Sequence, residues 1–209
     1  MSGPQTVQLS FEDGARAVEL ARDSVEAFVR NGQREQPGSM RDAFYNRTSA
    51  FVRLESTRGR GQLRGCAGAH ETVRELGNED KQLGHAIVEA AIQAASESSC
   101  GSEVEAAELP NIRVSVCAVS NLVLTDDPVS DLELGRHGVA VDGHGKYGWM
   151  YPTVPVEQGW SPFEYLDRTC RKAGLGDGAW EDDDVMVTLF EGQVFREAEP
   201  EGPAEELTN

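Results

Sequence analysis

The first helix predicted from the spacing of apolar residues lies near the start of the chain. Its apolar positions recur at helical intervals: Ala15, Val18, Ala21, Val25 and Phe28. That spacing places them on one face of an α-helix. Ser10 and Asp13 precede them in the arrangement of a helix start, and Asn31-Gly32 ends the segment.

Two further helices follow from patterns of the same kind. Between residues 83 and 95, apolar side chains are spaced along one helical face. Ser161-Pro162-Phe163-Glu164 has the form of a capping box with proline at the first helical position. Gly174 ends that helix, which is predicted to bury Phe163.

Strands are predicted where apolar and polar residues alternate. In "SAFVRLES", residues 49–56, Val52 and Leu54 lie on one side and Arg53 and Glu55 on the other. "TRGRG" is a turn signal, and "QLRGCAGA" follows it as the second strand of a hairpin.

Three later segments complete the predicted sheet. "NIRVSVCAVS" alternates as a half-buried strand, "GVAVDGHGKYGWMY" forms a hairpin around Asp142-Gly143, and "DVMVTLFEGQVF" is a final strand. Because the strands pair locally as hairpins, we predict an α+β fold, mainly antiparallel sheet with packed helices. The tail after Phe195 is acidic and contains proline, so we expect residues 198–209 to be disordered, as are residues 1–7.

The charge of the chain is strongly negative. Its 209 residues carry 36 acidic and 19 basic side chains, a net charge of −17. Only three of the basic residues are lysines: Lys81, Lys146 and Lys172. This balance favours adaptation to a salt-rich cytoplasm, where screening makes surface repulsion tolerable, with an ordinary acidic protein as the alternative. Either way, the composition disfavours binding to nucleic acid, which relies on basic surface.

The apolar segments are too short for a membrane span. No run approaches the roughly 20 residues that a bilayer requires. The N-terminal "MSGPQTVQLSFEDGARA" lacks the basic start and apolar stretch of a signal peptide. We therefore expect a cytoplasmic protein.

The cysteines do not form a metal-binding pattern. They are Cys66, Cys100, Cys117 and Cys170. None forms a C-x-x-C pair or has a histidine at zinc-ligand spacing, so no metal site is predicted. In a reducing compartment all four are expected to be free thiols.

The stretch "LRGCAGAH", residues 63–70, holds the most suggestive of these thiols. On an extended strand, residues two apart share a face, so Arg64, Cys66 and His70 are predicted to lie on one side. Arg64 is long enough to stabilise a thiolate at Cys66. His70 would lie about 13 Å away along a straight strand, too far to act as a base. The structural alternative is that Cys66 is a small buried residue in a tightly packed strand.

Among the other histidines, His137 is the one with a candidate role. It stands beside Arg136 in "LGRHGVAV", where a loop enters a strand. One interpretation places both residues next to the Arg64–Cys66 strand as an anion site. The other is a loop histidine bonded to the backbone. His85 and His144 are predicted to be structural.

Four ordered segments carry a resemblance to a known family. "LRGCAGAH", "LELGRHGVAV", "VPVEQGWSPFEYLDRTCRKAGLGDGAW" and "LFEGQVF" occur in the order and at the spacing found in the AMMECR domain family. The family is named after a human chromosomal region linked to Alport syndrome, midface hypoplasia and elliptocytosis. The chain resembles an archaeal member over about residues 14–195, within a predicted domain of residues 8–197.

The resemblance implies a fold and leaves the activity open. It implies an α+β domain of one larger and one smaller lobe, and possible association with Memo-like or radical-SAM-like proteins. The family signature reads approximately L-R-G-C-I-G-T-F. Five positions match it: Leu63, Arg64, Gly65, Cys66 and Gly68. Ala67, Ala69 and His70 depart from it, so a mechanism that needs the threonine hydroxyl or the aromatic ring is not supported here.

Three functional hypotheses follow. The first is a cleft around Leu63–Gly68 and Arg136-His137 that binds a small anionic ligand or a partner segment. Its predicted ligand-binding residues are Leu63, Arg64, Gly65, Gly68, Arg136 and His137. The second is an enzyme with Cys66 as nucleophile and Arg64 as thiolate or anion partner. The third is a regulatory or scaffold subunit. No motif indicates a cofactor.

Overall fold

The structure is a computed structural model that describes residues 8–37, 41–59, 62–68, 81–96 and 102–207. Over these ranges the helices are α1 (Phe11–Asn31), α2 (Leu83–Ala95), α3 (Pro128–Asp131), α4 (Thr153–Gln158) and α5 (Pro162–Ala173). The strands are β1 (Ala50–Ser56), β2 (Gln62–Gly68), β3 (Ile112–Thr125), β4 (Gly138–Gly143), β5 (Lys146–Met150), β6 (Val185–Glu197) and β7 (Ala204–Leu207). The predicted N-terminal disorder falls on residues 1–7, which lie outside the described ranges.

Helix α1 begins and ends as its sequence predicts. The Ser10 side chain accepts a hydrogen bond from the Asp13 backbone N–H, and the Asp13 carboxylate accepts one from Ser10 N–H, completing a capping box. That hydrogen bonding from Ser10 lowers the pKa of Asp13, with an ion pair from Arg41 acting in the same direction. Gly32 ends the helix in the left-handed conformation, at φ 64°.

The chain divides into two compact units. The larger comprises residues 6–119 and 193–207, and the smaller comprises residues 120–192, apart from the chain ends. In the larger unit β1 pairs antiparallel with β2 on one side and β3 on the other. Helix α2 packs against β1, β2 and α1, and covers an apolar core. The core includes Leu20, Val25, Val52, Leu54, Ile87, Ala91, Val114 and Val116.

A buried ion pair joins three elements of the larger unit. Arg22 of α1 donates through Nε to a carboxylate oxygen of Glu197 at 2.8 Å, and the pair is almost wholly excluded from solvent. The second Glu197 oxygen accepts the backbone N–H of Val114 at 2.9 Å. One Arg22 Nη also donates to the Ile112 carbonyl. These contacts satisfy both buried charges and tie α1 to β3 and β6.

The C-terminal segment differs from its prediction of disorder. Residues 204–207 form β7, which pairs antiparallel with the end of β6 and places Leu207 opposite Val194. A turn joins the two strands, with Ala198 N–H donating to the Pro203 carbonyl. Arg196 also pairs with Glu205 at 2.6 Å. Acidic composition concealed this strand, because its stability comes from pairing with β6 rather than from its own apolar residues.

The smaller unit is built on a three-stranded antiparallel arrangement. Strand β4 lies between β5 and β6, and α5 packs against β4 and β5. Its core includes Val139, Val141, Tyr165, Leu166, Cys170, Val187 and Leu189. The Tyr165 hydroxyl, at 2.9 Å from the Tyr151 carbonyl, anchors α5 to the chain after β5. The capping box of Ser161 and Glu164 predicted for α5 is present.

The observed elements are helices packed on antiparallel strands, which confirms the predicted α+β class. No helix within the described ranges is long and apolar enough to cross a membrane.

Candidate functional site

A β-bulge in β2 sets the geometry of the LRGCAG motif. Leu54 pairs with Gly65, but the next residue of β1, Glu55, pairs with Leu63, so Arg64 is an extra residue without a partner on β1. Cys66 pairs with Arg53. Since Arg53 and Glu55 are two apart on one strand, their partners Cys66 and Leu63 lie on the same face.

Arg64 therefore does not take the position predicted for it. Its guanidinium binds the Glu108 carboxylate through Nε at 2.6 Å and Nη2 at 2.7 Å. Nη1 and Nη2 also donate to the backbone carbonyls of Ser102 and Glu103, respectively. The hydrogen bond with Glu108 raises the pKa of Arg64 and lowers that of Glu108. Arg64 thus fastens the segment that follows α2, and its donors are engaged there rather than at the Cys66 sulfur.

The two glycines of the motif have structural explanations. A Cβ on Gly65 would lie 2.1 Å from the Ala94 carbonyl oxygen, so only glycine lets the end of α2 approach the strand this closely. Gly68 has φ +125°, and a Cβ there would lie 2.0 Å from the Ala50 carbonyl oxygen. The close approach of the protein's own backbone is enough to explain both glycines. Their predicted role in ligand binding stays a prediction.

Cys66 is buried, with 5% of its surface exposed, and it is disulfide-bonded. The expectation of a free thiol is therefore wrong for Cys66 in this structure, and the nucleophile hypothesis applies only to a reduced protein. Cys117 and Cys170 are free and buried. Burial raises the pKa of Cys117 to about 12 and that of Cys170 to about 11. Cys100 lies outside the described residues.

Strands β1, β2 and β3 form one sheet, and the face of this sheet that carries Cys66 also carries a charge cluster. Glu55 accepts from two arginines: one of its oxygens lies 2.7 Å from Arg53 Nη2, and the other lies 2.6 Å from Arg113 Nη2. The β1–β3 register places Arg53 opposite Ser115 and Glu55 opposite Arg113. Both guanidinium side chains remain about a quarter exposed, at 25% for Arg53 and 24% for Arg113.

The arginines of this cluster are less fully bonded than Arg64. Arg53 Nε is buried and has no hydrogen-bond acceptor among the described atoms. Two positive charges share one carboxylate, which leaves the cluster of Arg53, Glu55 and Arg113 with a net charge of +1. A local positive excess contrasts with the net charge of −17 of the whole chain. We refer to these three side chains as the Arg53–Arg113 cluster.

Arg136 and His137 belong to the smaller unit, whereas Leu63–Gly68 belong to the larger one. Arg136 binds Glu133 at 3.1 Å and Glu191 at 3.2 Å. The hydrogen bond that Arg136 donates to Glu191, followed by the one that it donates to Glu133, raises the pKa of Arg136. Burial raises the pKa of Glu191, but hydrogen bonds from Arg136 and Asn121 outweigh it and lower the value overall. Two carboxylates around one guanidinium leave this group with a net negative charge.

His137 matches the alternative in which a loop histidine bonds to the backbone. The imidazole Nδ1 accepts the Glu133 backbone N–H at 3.0 Å, and the His137 backbone N–H donates to the Glu133 carbonyl. Nε2 lies 3.8 Å from a Glu191 oxygen. Gly135, at φ 88°, allows the tight turn between these residues.

The other histidines and Phe163 do not add to the candidate site among the described residues. His85 and His144 are exposed, and His70 lies outside the described residues. Phe163 is 54% exposed, so its predicted burial is wrong; it contacts the edge of the Trp180 ring instead. Within the described ranges, no group of histidine, cysteine or acidic side chains is arranged to hold a metal ion.

The predicted alternation puts Arg53 on the polar side of β1, and the alternation in "NIRVSVCAVS" does the same for Arg113 of β3, but neither pattern connects the two residues. The alternation in "SAFVRLES" and "NIRVSVCAVS" contains the signal, because it separates both arginines from the core. The alternation does not indicate that β1 pairs with β3, because the two strands are distant in sequence.

Comparisons with known proteins identify relatives along nearly the whole chain. The AMMECR1 family model matches residues 18–195. A protein of Halobacterium salinarum is 80% identical over 209 residues, covering 100% of both chains. A protein of Methanopyrus kandleri is 35% identical and covers 95% of each chain.

A solved structure is similar as well. The crystal structure of an uncharacterised protein from Pyrococcus horikoshii has a TM-score of 0.81 and 29% sequence identity. The similarity covers 96% of this chain and 99% of that one. The relatives confirm the family predicted from the four motifs, and the structural match agrees with the predicted fold.

Proposed function

The chain belongs to the AMMECR1 family, and we propose that it is a binding module for a small anionic ligand, held at the Arg53–Arg113 cluster. The observation that carries this proposal is the local charge: two partly exposed guanidiniums share the single Glu55 carboxylate. In a chain of net charge −17, a positive group of this kind attracts an anion where most of the surface repels one.

Among anions, a carboxylate fits the donors best. Guanidinium groups present paired N–H donors whose geometry matches the two oxygens of a carboxylate. Glu55 does not pair in this two-oxygen manner with either arginine: it bridges them, with one oxygen at Arg53 and the other at Arg113. A ligand carboxylate would accept from the donors that Glu55 leaves free. The carboxylate could belong to a small acid or to a partner segment, since the chemistry is the same.

Leu63 supports a ligand with a small apolar part. It lies opposite Glu55 in the β1–β2 register and is only partly buried. Its side chain therefore provides an apolar surface beside the charged groups, as is usual in sites for small organic ligands. Leu63 belongs to the LRGCAG motif, so the proposed site would include part of that motif.

The charge around the other predicted arginines argues against them as primary anion sites. Arg64 is neutralised by Glu108 and its other donors bind backbone carbonyls. Arg136 faces two carboxylates, Glu133 and Glu191. An anion approaching either group meets existing acceptors, whereas the Arg53–Arg113 cluster retains a positive charge.

Calorimetric titration with potassium acetate tests the proposal. Arg53→Gln and Arg113→Gln should each weaken acetate binding about tenfold or more, because charge-assisted hydrogen bonds are lost. Arg136→Gln is the matched control: it removes the same charge from the smaller unit and should leave the affinity within about twofold. Equal losses in all three variants, or no binding by the unmodified protein, would contradict the proposal.

A further inference from the structure

Glu55 occupies a position that limits how much negative charge the cluster can accept. Its carboxylate bridges Arg53 and Arg113 and is itself only 13% exposed. Arg113 directs both Nε, at 3.2 Å, and Nη2, at 2.6 Å, to one Glu55 oxygen. The carboxylate therefore orients both guanidiniums and cancels one of their two charges.

We infer that Glu55 is the specificity-determining residue of this site and that the site selects ligands with one negative charge, such as monocarboxylates, over dianions. The inference rests on the proposed anion-binding function. A monoanion brings the cluster from a net charge of +1 to neutrality. A dianion leaves a net charge of −1 in a partly buried position, where an unbalanced charge is costly.

The cross-strand neighbours supply no further cation for the second charge. Ser115, opposite Arg53, is buried and carries no charge. Cys66, opposite Arg53 on the other side, is disulfide-bonded and also uncharged. Leu63, opposite Glu55, is apolar. Among these described neighbours on β1, β2 and β3, only the two arginines and Glu55 carry a charge.

Replacing Glu55 tests the inference through a change in preference. Glu55→Gln keeps the shape of the side chain and raises the charge of the cluster from +1 to +2. Binding of acetate and malonate is measured by calorimetry at constant ionic strength and constant chloride, for the unmodified protein and the variant. We expect the ratio of malonate to acetate affinity to rise about tenfold in Glu55→Gln.

Glu133→Gln is the matched control, because it removes one acidic charge beside Arg136 in the smaller unit. Its ratio of malonate to acetate affinity should equal that of the unmodified protein. An unchanged ratio in Glu55→Gln would overturn the role of Glu55 while leaving anion binding intact. Failure of the unmodified protein to bind either anion would overturn the proposed function itself.

A measurement on the unmodified protein keeps the inference testable if Glu55→Gln does not fold. The unmodified protein should bind acetate at least as tightly as malonate, despite the stronger attraction of a dianion to a cation. A tenfold preference for malonate would overturn the inference.

Discussion

Cys66 of β2 lies directly opposite Arg53 of β1, not beside Arg64 of its own strand. The bulge at Arg64 leaves this residue without a partner on β1, and its guanidinium binds Glu108. The cross-strand partner of Cys66 on β1 is thus a cation. A substitution that tests the charge environment of Cys66 should therefore be made at Arg53 as well as at Arg64.

Alkylation distinguishes whether the Cys66 sulfur is in a disulfide or is a free thiol. In denaturant without reductant, iodoacetamide should modify Cys117 and Cys170 but not Cys66, because the Cys66 sulfur is in a disulfide. After reduction, Cys66 should be modified as well. Peptide mapping by mass spectrometry distinguishes the two patterns, and modification of Cys66 without reductant would contradict the structure.

In the reduced, folded protein, Arg53→Gln should slow the modification of Cys66, and Arg64→Gln should not, because Arg53 is its cross-strand neighbour. Equal slowing by both variants would restore the original assignment of Arg64. Cys117 is the internal control: its burial and its pKa of about 12 keep it unreactive in the folded state.

The Arg64–Glu108 pair should contribute to stability in a pH-dependent way. Glu108→Gln should lower the free energy of unfolding by about 1–3 kcal/mol, as expected for hydrogen bonds to charged groups. Since Arg64 lowers the pKa of Glu108 in the folded state, this contribution is fully present above the ordinary value of 4.5. It should be lost as the pH falls below 4.5 through the folded-state pKa.

Urea unfolding at several pH values measures this effect. The difference in unfolding free energy between the unmodified protein and Glu108→Gln should shrink as the solution is acidified. A difference that stays constant through the acidic range would show that the Glu108 charge does not stabilise the fold.

Breaking the buried Arg22–Glu197 pair should destabilise the larger unit strongly. Glu197→Gln leaves the buried Arg22 charge with only the more distant and partly exposed Glu26 carboxylate, at 3.8 Å. The cost should be about 3 kcal/mol, the lower end of the range for a broken buried pair. Arg196→Gln is the control, because its partner Glu205 is 43% exposed and such pairs contribute about 1 kcal/mol or less. Similar losses of unfolding free energy in the two variants would contradict the importance given to burial.

The acidic surface predicts stabilisation by salt. The melting temperature should rise markedly between about 0.1 M and about 2 M KCl, because screening weakens repulsion among the carboxylates. Changing Asp182, Asp183 and Asp184 to Asn removes three exposed charges and brings the net charge from −17 to −14. The melting temperature of this variant should rise less steeply with KCl concentration. A flat or falling curve for the unmodified protein would exclude the predicted salt adaptation.

Local patterns predicted most of the fold, because caps and alternation act over neighbouring residues. The capping boxes at Ser10 and Ser161 and the β1–β2 hairpin follow directly from such patterns. The bulge at Arg64 could not be predicted, since one extra residue leaves no trace in a two-residue period.

The candidate site was harder to predict because it depends on long-range pairing. Arg53 and Arg113 come together through the β1–β3 register, which no local pattern specifies. Strand β7 was missed for the same reason, since its residues gain a strand conformation only by pairing with β6. Residues that pack locally were thus predictable, whereas residues brought together by the sheet were not.

We propose that the anion site lies at Arg53 and Arg113 rather than at Arg64 or Arg136. An NMR titration that follows the arginine Nε–Hε resonances while acetate is added compares all four residues in one experiment. We predict saturable shifts at Arg53 and Arg113, which share one carboxylate. Arg64 and Arg136 should be unchanged, because each has at least one carboxylate of its own that neutralises its charge. Saturable shifts at Arg64 or Arg136, with Arg53 and Arg113 unaffected, would contradict it.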